Sequence, residues 1–271
     1  MGKIFKVADV SEHNNVTSFK NVDAVMIRCG YGFANQDKKV IKHIELAKKE
    51  KKPFGFYFYS YACTLAESDL EKRWLIDFIK KYKPELPVAI DMEDADGYKV
   101  RHGNPNKETL TKICLNLLNA VESAGYYAQL YCNVDWWLNR LESPKLRKFD
   151  LWIASWGVSV KPDVSDAEYM WQYTSSANVD GLGSRVDMSN AYVNYPQIIK
   201  AKGLNRWKKK GTSLKVGDKV KVKKAINYDT GKPFAVYYKN YDVLEVKGER
   251  VVIGIGKTVT SAIDIDNIEK L

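Results

Sequence analysis

The chain has 271 residues, and at roughly 100 to 200 residues per domain that allows one large domain and a small one. With 45% hydrophobic and 28% charged residues, 8 Pro and 17 Gly, the composition is that of a soluble globular protein and excludes collagen-like and disordered chains. The formal net charge of +10 is unevenly placed: residues 1–199 hold 26 Lys/Arg against 25 Asp/Glu, and residues 200–271 hold 17 against 8.

No run approaches the roughly 18 apolar residues that span a bilayer, and the start meets Lys3, Lys6 and Asp9 too early for a signal-peptide core. The expectation is a protein made in the cytoplasm, with no membrane partner. Cys29, Cys63, Cys114 and Cys132 lie in apolar segments without CxxC spacing, which favours buried thiols over disulfides or a zinc ribbon. His13, His43 and His102 form no HExxH, against a zinc peptidase.

Apolar, β-rich runs fall at residues 4–10, 24–29, 54–61, 87–91, 126–132, 151–155, 170–173 and 185–188. Between them stand helical patterns: residues 36–52, then a helix opened by the capping box Thr64-x-x-Glu67, then one after Asn106 that Gly125 stops. Alternation of strand and helix predicts an α/β fold, an irregular (β/α) barrel, with several later connections too short for full helices. Residues 200–213 are basic and lack periodicity, as in a linker. Short alternating runs at 219–223, 234–238, 243–246 and 251–255 then predict a small all-β barrel over residues 214–271.

In a parallel barrel the active site lies at the C-terminal ends of the strands. Asp9, Asp91, Glu93 and Asp187 are placed there, as are Arg28, Tyr57, Tyr59, Tyr61, Tyr131, Trp152 and Gln172. Asp91 and Glu93 share one face of a strand, with Cα atoms about 6.5 to 7 Å apart, while Met92 points the other way. Two carboxylates that repel each other leave one protonated near neutral pH, as acid-catalysed glycoside cleavage needs. Aromatic walls suit stacking on sugar faces. An oxygen-ligand Mg or Ca site is the rival use of such acids. Gly30-x-Gly-x-x-Asn35 lacks the third Gly of a dinucleotide loop and is read as a turn. Trp136 and Trp137 suit either the cleft wall or a buried helix contact.

At these residues the chain resembles the glycoside hydrolase family 25 lysozymes, the N-acetylmuramidases of phage endolysins and bacterial autolysins. The matching stretches are Asp9-Val-Ser-Glu-His-Asn14, Ile27-Arg-Cys-Gly30, Gly55-Phe-Tyr57, Ala89-Ile-Asp-Met-Glu93, Leu130-Tyr-Cys-Asn133, Leu151-Trp-Ile-Ala-Ser155, Trp171-Gln-Tyr173 and Val186-Asp-Met-Ser189, in order over residues 4–195 or so. The resemblance implies cleavage of the β-1,4 bond between N-acetylmuramic acid and N-acetylglucosamine in peptidoglycan. It implies Glu93 as general acid, Asp91 as its partner, and Asp9 and Asp187 as supporting carboxylates, with no metal or other cofactor. Asn15 and Phe58 depart from the family's usual Gly and His. A pair spaced Asp-x-Glu on one strand resembles the retaining, substrate-assisted glycosidases.

The tail, around residues 216–222, Tyr237, Tyr238, Tyr241 and residues 251–256, resembles the bacterial SH3-like modules attached to endolysins. That resemblance implies cell-wall binding, with Tyr237, Tyr238, Tyr241, Lys221 and Lys223 as contacts and anionic wall polymers as a further partner. With a sugar-cleaving site upstream, nucleic acid is the weaker partner for the basic charge. A missing signal peptide suits a phage product that accumulates in the host cytoplasm and reaches the wall on release. The other readings are a non-catalytic wall-polysaccharide binder and a chitinase-like glycosidase.

Overall fold

The computed structural model describes residues 4–207 and 214–271. The chain divides into two compact units, residues 1–209 and 210–271. In the first, chain order gives β1 (Phe5–Val10), β2 (Ala24–Tyr31), β3 (Asn35–Gln36), α1 (Val40–Lys49), β4 (Phe54–Tyr59), α2 (Leu65–Ile79), β5 (Val88–Asp91), α3 (Tyr98–Arg101) and α4 (Lys107–Ser123). There follow β6 (Ala128–Asn133), a π-helical turn (Trp136–Arg140), α5 (Ser143–Leu146), β7 (Asp150–Ala154), β8 (Met170–Val179), β9 (Gly183–Ala191) and α6 (Tyr195–Lys202).

Eight strands close a barrel in the order β1-β9-β8-β7-β6-β5-β4-β2, with β2 returning to β1 and β3 hairpinned onto β2. Neighbours from β1 through β2 and β4 to β8 are parallel. The last strand is not: β9 runs antiparallel to both β8 and β1. Only residues 180–182 separate β8 from β9, and a link that short forms a hairpin, whereas a parallel return needs a dozen or more residues. Asp187, expected at the C-terminal end of a parallel strand, therefore lies in the middle of β9 and reaches the site because that strand runs the opposite way.

Strand alternation divides the core into two layers. Val25, Ile27, Phe56, Phe58, Val88, Ile90, Leu130 and Ile153 point outward against Leu75, Phe78, Leu110, Ile113, Leu117 and Val121 of the helices. Val7, Met26, Ala89, Tyr131, Trp152 and Met170 point inward and fill the barrel. Phe58 belongs to the outer layer, 5.7 Å from the Trp74 ring, so its departure from the family residue leaves the barrel interior untouched. The capping box at Thr64 and Glu67 forms as expected and opens α2. Asn106 caps α4, and Gly125, at φ +81°, follows its end. The first helix is shorter than its pattern, starting at Val40, because residues 35–36 pair with β2 instead. Trp136 and Trp137 are buried in the outer layer.

The start of the expected linker is packed. Gly203, in the left-handed conformation, ends α6. Asn205 is fully buried, accepting from Tyr127 N–H and donating to the Pro84 and Leu86 carbonyls. Trp207 donates to the Pro84 carbonyl. An Asn side chain that satisfies three backbone groups fixes local structure that composition does not reveal. The rest of the expected linker, residues 208–213, lies outside the described residues.

The second unit is all-β: β10 (Lys219–Val222), β11 (Tyr241–Lys247), β12 (Arg250–Ile255), β13 (Thr258–Asp264) and β14 (Ile268–Lys270). They form an antiparallel sheet ordered β13-β12-β11-β10-β14 around Val220, Tyr241, Val243, Val251, Ile253, Ile263 and Ile268. Residues 234–238, expected as a strand, form none. Their Tyr237 and Tyr238 N–H groups donate to the Tyr241 hydroxyl rather than to a neighbouring strand.

Candidate active site

At the C-terminal mouth of the barrel, a cavity of about 210 Å³ is lined by Asp9, Ser11, Arg28, Tyr57, Tyr59, Asp91, Glu93, Tyr131, Trp152, Gln172 and Asp187. All four expected acids and six of the seven expected binding residues meet there. Tyr61 does not line it; its hydroxyl donates to Asp96 at 2.6 Å, on the exposed rim. Ser11, two residues after Asp9, was not anticipated.

β5 ends at Asp91, which is 4% exposed, and Met92 turns into the outer core, so Glu93 returns to the cavity side. Burial raises the Glu93 carboxyl to about 7; Lys99 opposes that rise, and Asp187, Asp96 and Asp94 add to it. Burial and then the Glu93 charge push Asp91 up as well, against the pull of Lys99. Its Oδ1 is buried with no hydrogen-bond partner in the protein. A buried acceptor without a donor is costly unless something else supplies one.

Asp9 on β1 stands opposite Asp187 on β9 in the antiparallel register. Burial and the Asp187 charge raise Asp9 well above the usual carboxylate range, and burial raises Asp187 as well. Gln172, 1% exposed, donates from Nε2 to Asp9 Oδ2 at 3.0 Å. Its Oε1 accepts from the Tyr131 hydroxyl and from Trp156 Nε1, each at 3.0 Å, which fixes the amide orientation. Trp156 is half exposed beside the mouth, and its position directly after the Leu151–Ser155 run was the signal for it.

Trp152 forms the floor: its Nε1 donates to Ser189 Oγ, and the Tyr131 and Tyr57 rings meet it edge-on at 4.6 and 6.0 Å. Arg28 is committed to the wall, with Nε on Asp37 Oδ2 at 2.9 Å and a terminal nitrogen on Glu12 Oε1 at 3.1 Å. Among the described residues, no three His, Cys, Asp or Glu side chains are grouped as metal ligands would be. The four cysteines are free and buried.

In the second unit, Tyr237 and Tyr238 are exposed, at 76% and 53%, and Lys221 and Lys223 lie on the surface. Tyr241 is fully buried. It is a core residue and not the surface contact expected, because its ring fills the small sheet while its hydroxyl accepts from the loop above.

A barrel whose mouth gathers four carboxyls, one held protonated to about pH 7, over an aromatic floor has the form of a glycosidase. The sequence model of glycosyl hydrolases family 25 matches residues 8–182, and the chain belongs to that family. No curated protein matches the chain. Among solved structures it is similar to the modular autolysin LytC from Streptococcus pneumoniae in complex with a synthetic peptidoglycan ligand. That match has 27% identity and a TM-score of 0.60, covering 70% of this chain but 47% of LytC. It is similar in fold to a family 25 glycosyl hydrolase from Bacillus anthracis, with 22% identity, a TM-score of 0.61, and 75% and 93% of the two chains covered. The catalytic domain of endolysin ply40, from bacteriophage P40 of Listeria monocytogenes, is similar at 23% identity and a TM-score of 0.58, with 75% and 99% covered.

Proposed function

We propose that the protein is a peptidoglycan hydrolase of the muramidase type, cleaving the β-1,4 bond from N-acetylmuramic acid to N-acetylglucosamine. The observation that carries this is the pairing of Glu93, protonated to about pH 7, with the unpartnered buried Oδ1 of Asp91. An N-acetyl sugar brings the missing donor. Asp91 accepts the acetamide N–H and turns the acetamide oxygen toward the anomeric carbon. As that oxygen attacks, Glu93 gives its proton to the departing glycosidic oxygen. The Glu93 carboxylate then takes a proton from the water that opens the cyclic intermediate, and two inversions leave the configuration retained.

Asp9 and Asp187, opposite each other in the strand register, hold negative potential under the developing positive charge of the sugar ring. Tyr57, Tyr59, Tyr131, Trp152, Arg28 and Gln172 shape and orient the sugar subsite. The second unit is an SH3-like wall-binding module, in which exposed Tyr237 and Tyr238 make the specific contacts and Lys221, Lys223 and the basic surface speed encounter with anionic wall polymers. The whole is a phage endolysin that lyses a Gram-positive host, made in the host cytoplasm and acting on the wall after release.

Digestion of purified peptidoglycan tests the assignment. New N-acetylmuramic acid reducing ends, absent with Glu93→Gln and retained in configuration when first formed, are expected. New N-acetylglucosamine ends, free amines or an inverted product overturn it.

A further inference from the structure

A charged side chain that the sequence gives no reason to notice lies beneath the acid pair. No lysine other than Lys99 is buried among the described residues, and Lys99 is 1% exposed. It sits on the one-turn helix α3, whose start is tied down by Asp94: Oδ1 accepts from the Lys99 N–H at 2.7 Å and Oδ2 from the Val100 N–H at 3.0 Å. From there the side chain runs under the β5 end. Its Nζ donates to the Ser60 carbonyl and, at 2.8 Å, to the carbonyl of Glu93 itself. The ammonium also faces the Tyr59 and Tyr61 rings, 5.5 and 6.0 Å from their centres.

Both hydrogen bonds end on backbone carbonyls, one just past β4 and one just past β5. The Ser60 side is itself anchored, because the Ser60 hydroxyl and the Tyr61 N–H donate to the two oxygens of buried Glu71 at 2.6 and 2.7 Å. Burying an ammonium is costly, and two carbonyls offset that cost only in part. An apolar side chain of the same length would fill the space without that desolvation cost, but it would leave the two carbonyls without this donor. The charge therefore does something that packing does not require. The groups facing it are Asp91 and Glu93 at the β5 end, Asp94 on the following loop, Glu71 on α2 and Cys63 after β4. Across the cavity, Asp9, Asp187 and Arg28 complete the charges around the acid pair.

We propose that Lys99 is a positioning residue of the hydrolytic site: its buried ammonium clamps the ends of β4 and β5 through the Ser60 and Glu93 carbonyls and supplies the fixed positive charge against which Asp91 and Glu93 ionise. The proposal rests on the assignment of those two acids as the reacting pair. Without that charge, Asp91 would resist ionising and could not accept the acetamide N–H at the pH where Glu93 still holds its proton. Lys99 touches no substrate in this scheme; it acts through the loop that carries Glu93.

The test separates clamp from charge. Lys99→Gln keeps a hydrogen-bond donor and removes the charge; Lys99→Arg keeps the charge. For Lys99→Gln, both limbs of the kcat/KM profile on peptidoglycan move to higher pH, by about one unit, with kcat reduced and KM little changed. Lys99→Arg keeps the wild-type limbs. A Lys99→Gln profile that is only scaled down, with limbs unmoved, overturns the proposal. Should Lys99→Gln fail to fold, lysine-selective 15N NMR of the wild type decides: Nζ remains an ammonium across the active pH range, and a neutral amine at pH 7 overturns the proposal. An active Glu93→Gln overturns the acid assignment and this proposal with it, whereas an inactive Glu93→Gln beside an unshifted Lys99→Gln overturns the role of Lys99 alone.

Discussion

Asp9 and Asp187 face each other directly across the antiparallel pairing of the first and last barrel strands, and the Asp187 charge helps push the Asp9 carboxyl up. Two ionised carboxyls in that position repel, and burial together with the Asp187 charge pushes Asp9, the more deeply buried of the two, well above the usual carboxylate range. Asp187 also raises Glu93. The strand reversal at β9 thus couples a supporting pair to the acid.

Asp187→Asn removes that charge while keeping a hydrogen-bonding group. Glu93 then loses its proton at lower pH, and the alkaline limb of the activity profile moves down. Loss of the negative potential under the sugar ring lowers kcat by about 10- to 100-fold. A profile whose alkaline limb stays in place removes Asp187 from the electrostatics of the acid.

Glu93→Gln keeps the shape of the site and removes the proton donor, so kcat falls by about 10²- to 10⁴-fold with KM nearly unchanged. In the wild type the donor form is lost as pH rises through about 7, so kcat/KM declines on that side. Initial rates of reducing-end release between pH 5 and 9 measure both effects. An alkaline limb present in Glu93→Gln would assign that limb to another group.

His43 on α1 is fully buried with neither ring nitrogen hydrogen-bonded, and burial lowers it to about 4. The unfolded chain binds that proton near pH 6.5 and the folded barrel resists it. Stability from this residue is therefore complete above about pH 6.5 and is lost as pH falls toward 4. By pH 5 the loss is about 2 kcal/mol, which is roughly 4 to 8 °C in melting temperature for a barrel of this size. His43→Leu removes the proton sink, so its melting temperature relative to wild type rises as pH drops from 7 to 5. A difference that stays flat over that interval contradicts the account.

The eight barrel strands, the capping box and the Asp-x-Glu pair were legible because each rests on local pattern: alternation of two, helical spacing of three and four, and turn chemistry. The direction of β9 was not, since Asp187 satisfies an alternating pattern whichever way the strand runs, and the apolar runs at 170–173 and 185–188 hide how far β8 and β9 extend toward their three-residue link. Lys99 was invisible for a different reason. A lone lysine after an acidic loop is usually solvated, and only the tertiary approach of the Ser60 carbonyl buries it. Asn205 and Tyr241 misled in the same way, as polar or amphipathic residues whose surroundings come from distant parts of the chain.

Tyr237 and Tyr238 are exposed on a loop whose N–H groups are held by the buried Tyr241 hydroxyl. That arrangement predicts opposite results for neighbouring tyrosines. The double change Tyr237→Ala and Tyr238→Ala, made in the full chain, leaves the melting transition of the second unit in place and lowers co-sedimentation with purified cell walls. Tyr241→Ala removes a fully buried ring and costs about 3 to 5 kcal/mol, enough to unfold a small sheet and abolish wall binding with it. Tyr241→Phe keeps the ring and loses only the acceptor; the sheet survives, while the loop loosens and binding weakens in part. Raising salt cuts the contribution of Lys221 and Lys223 by screening and leaves that of the tyrosines. Undiminished sedimentation of the double variant at moderate salt would show that the wall is held by some other surface.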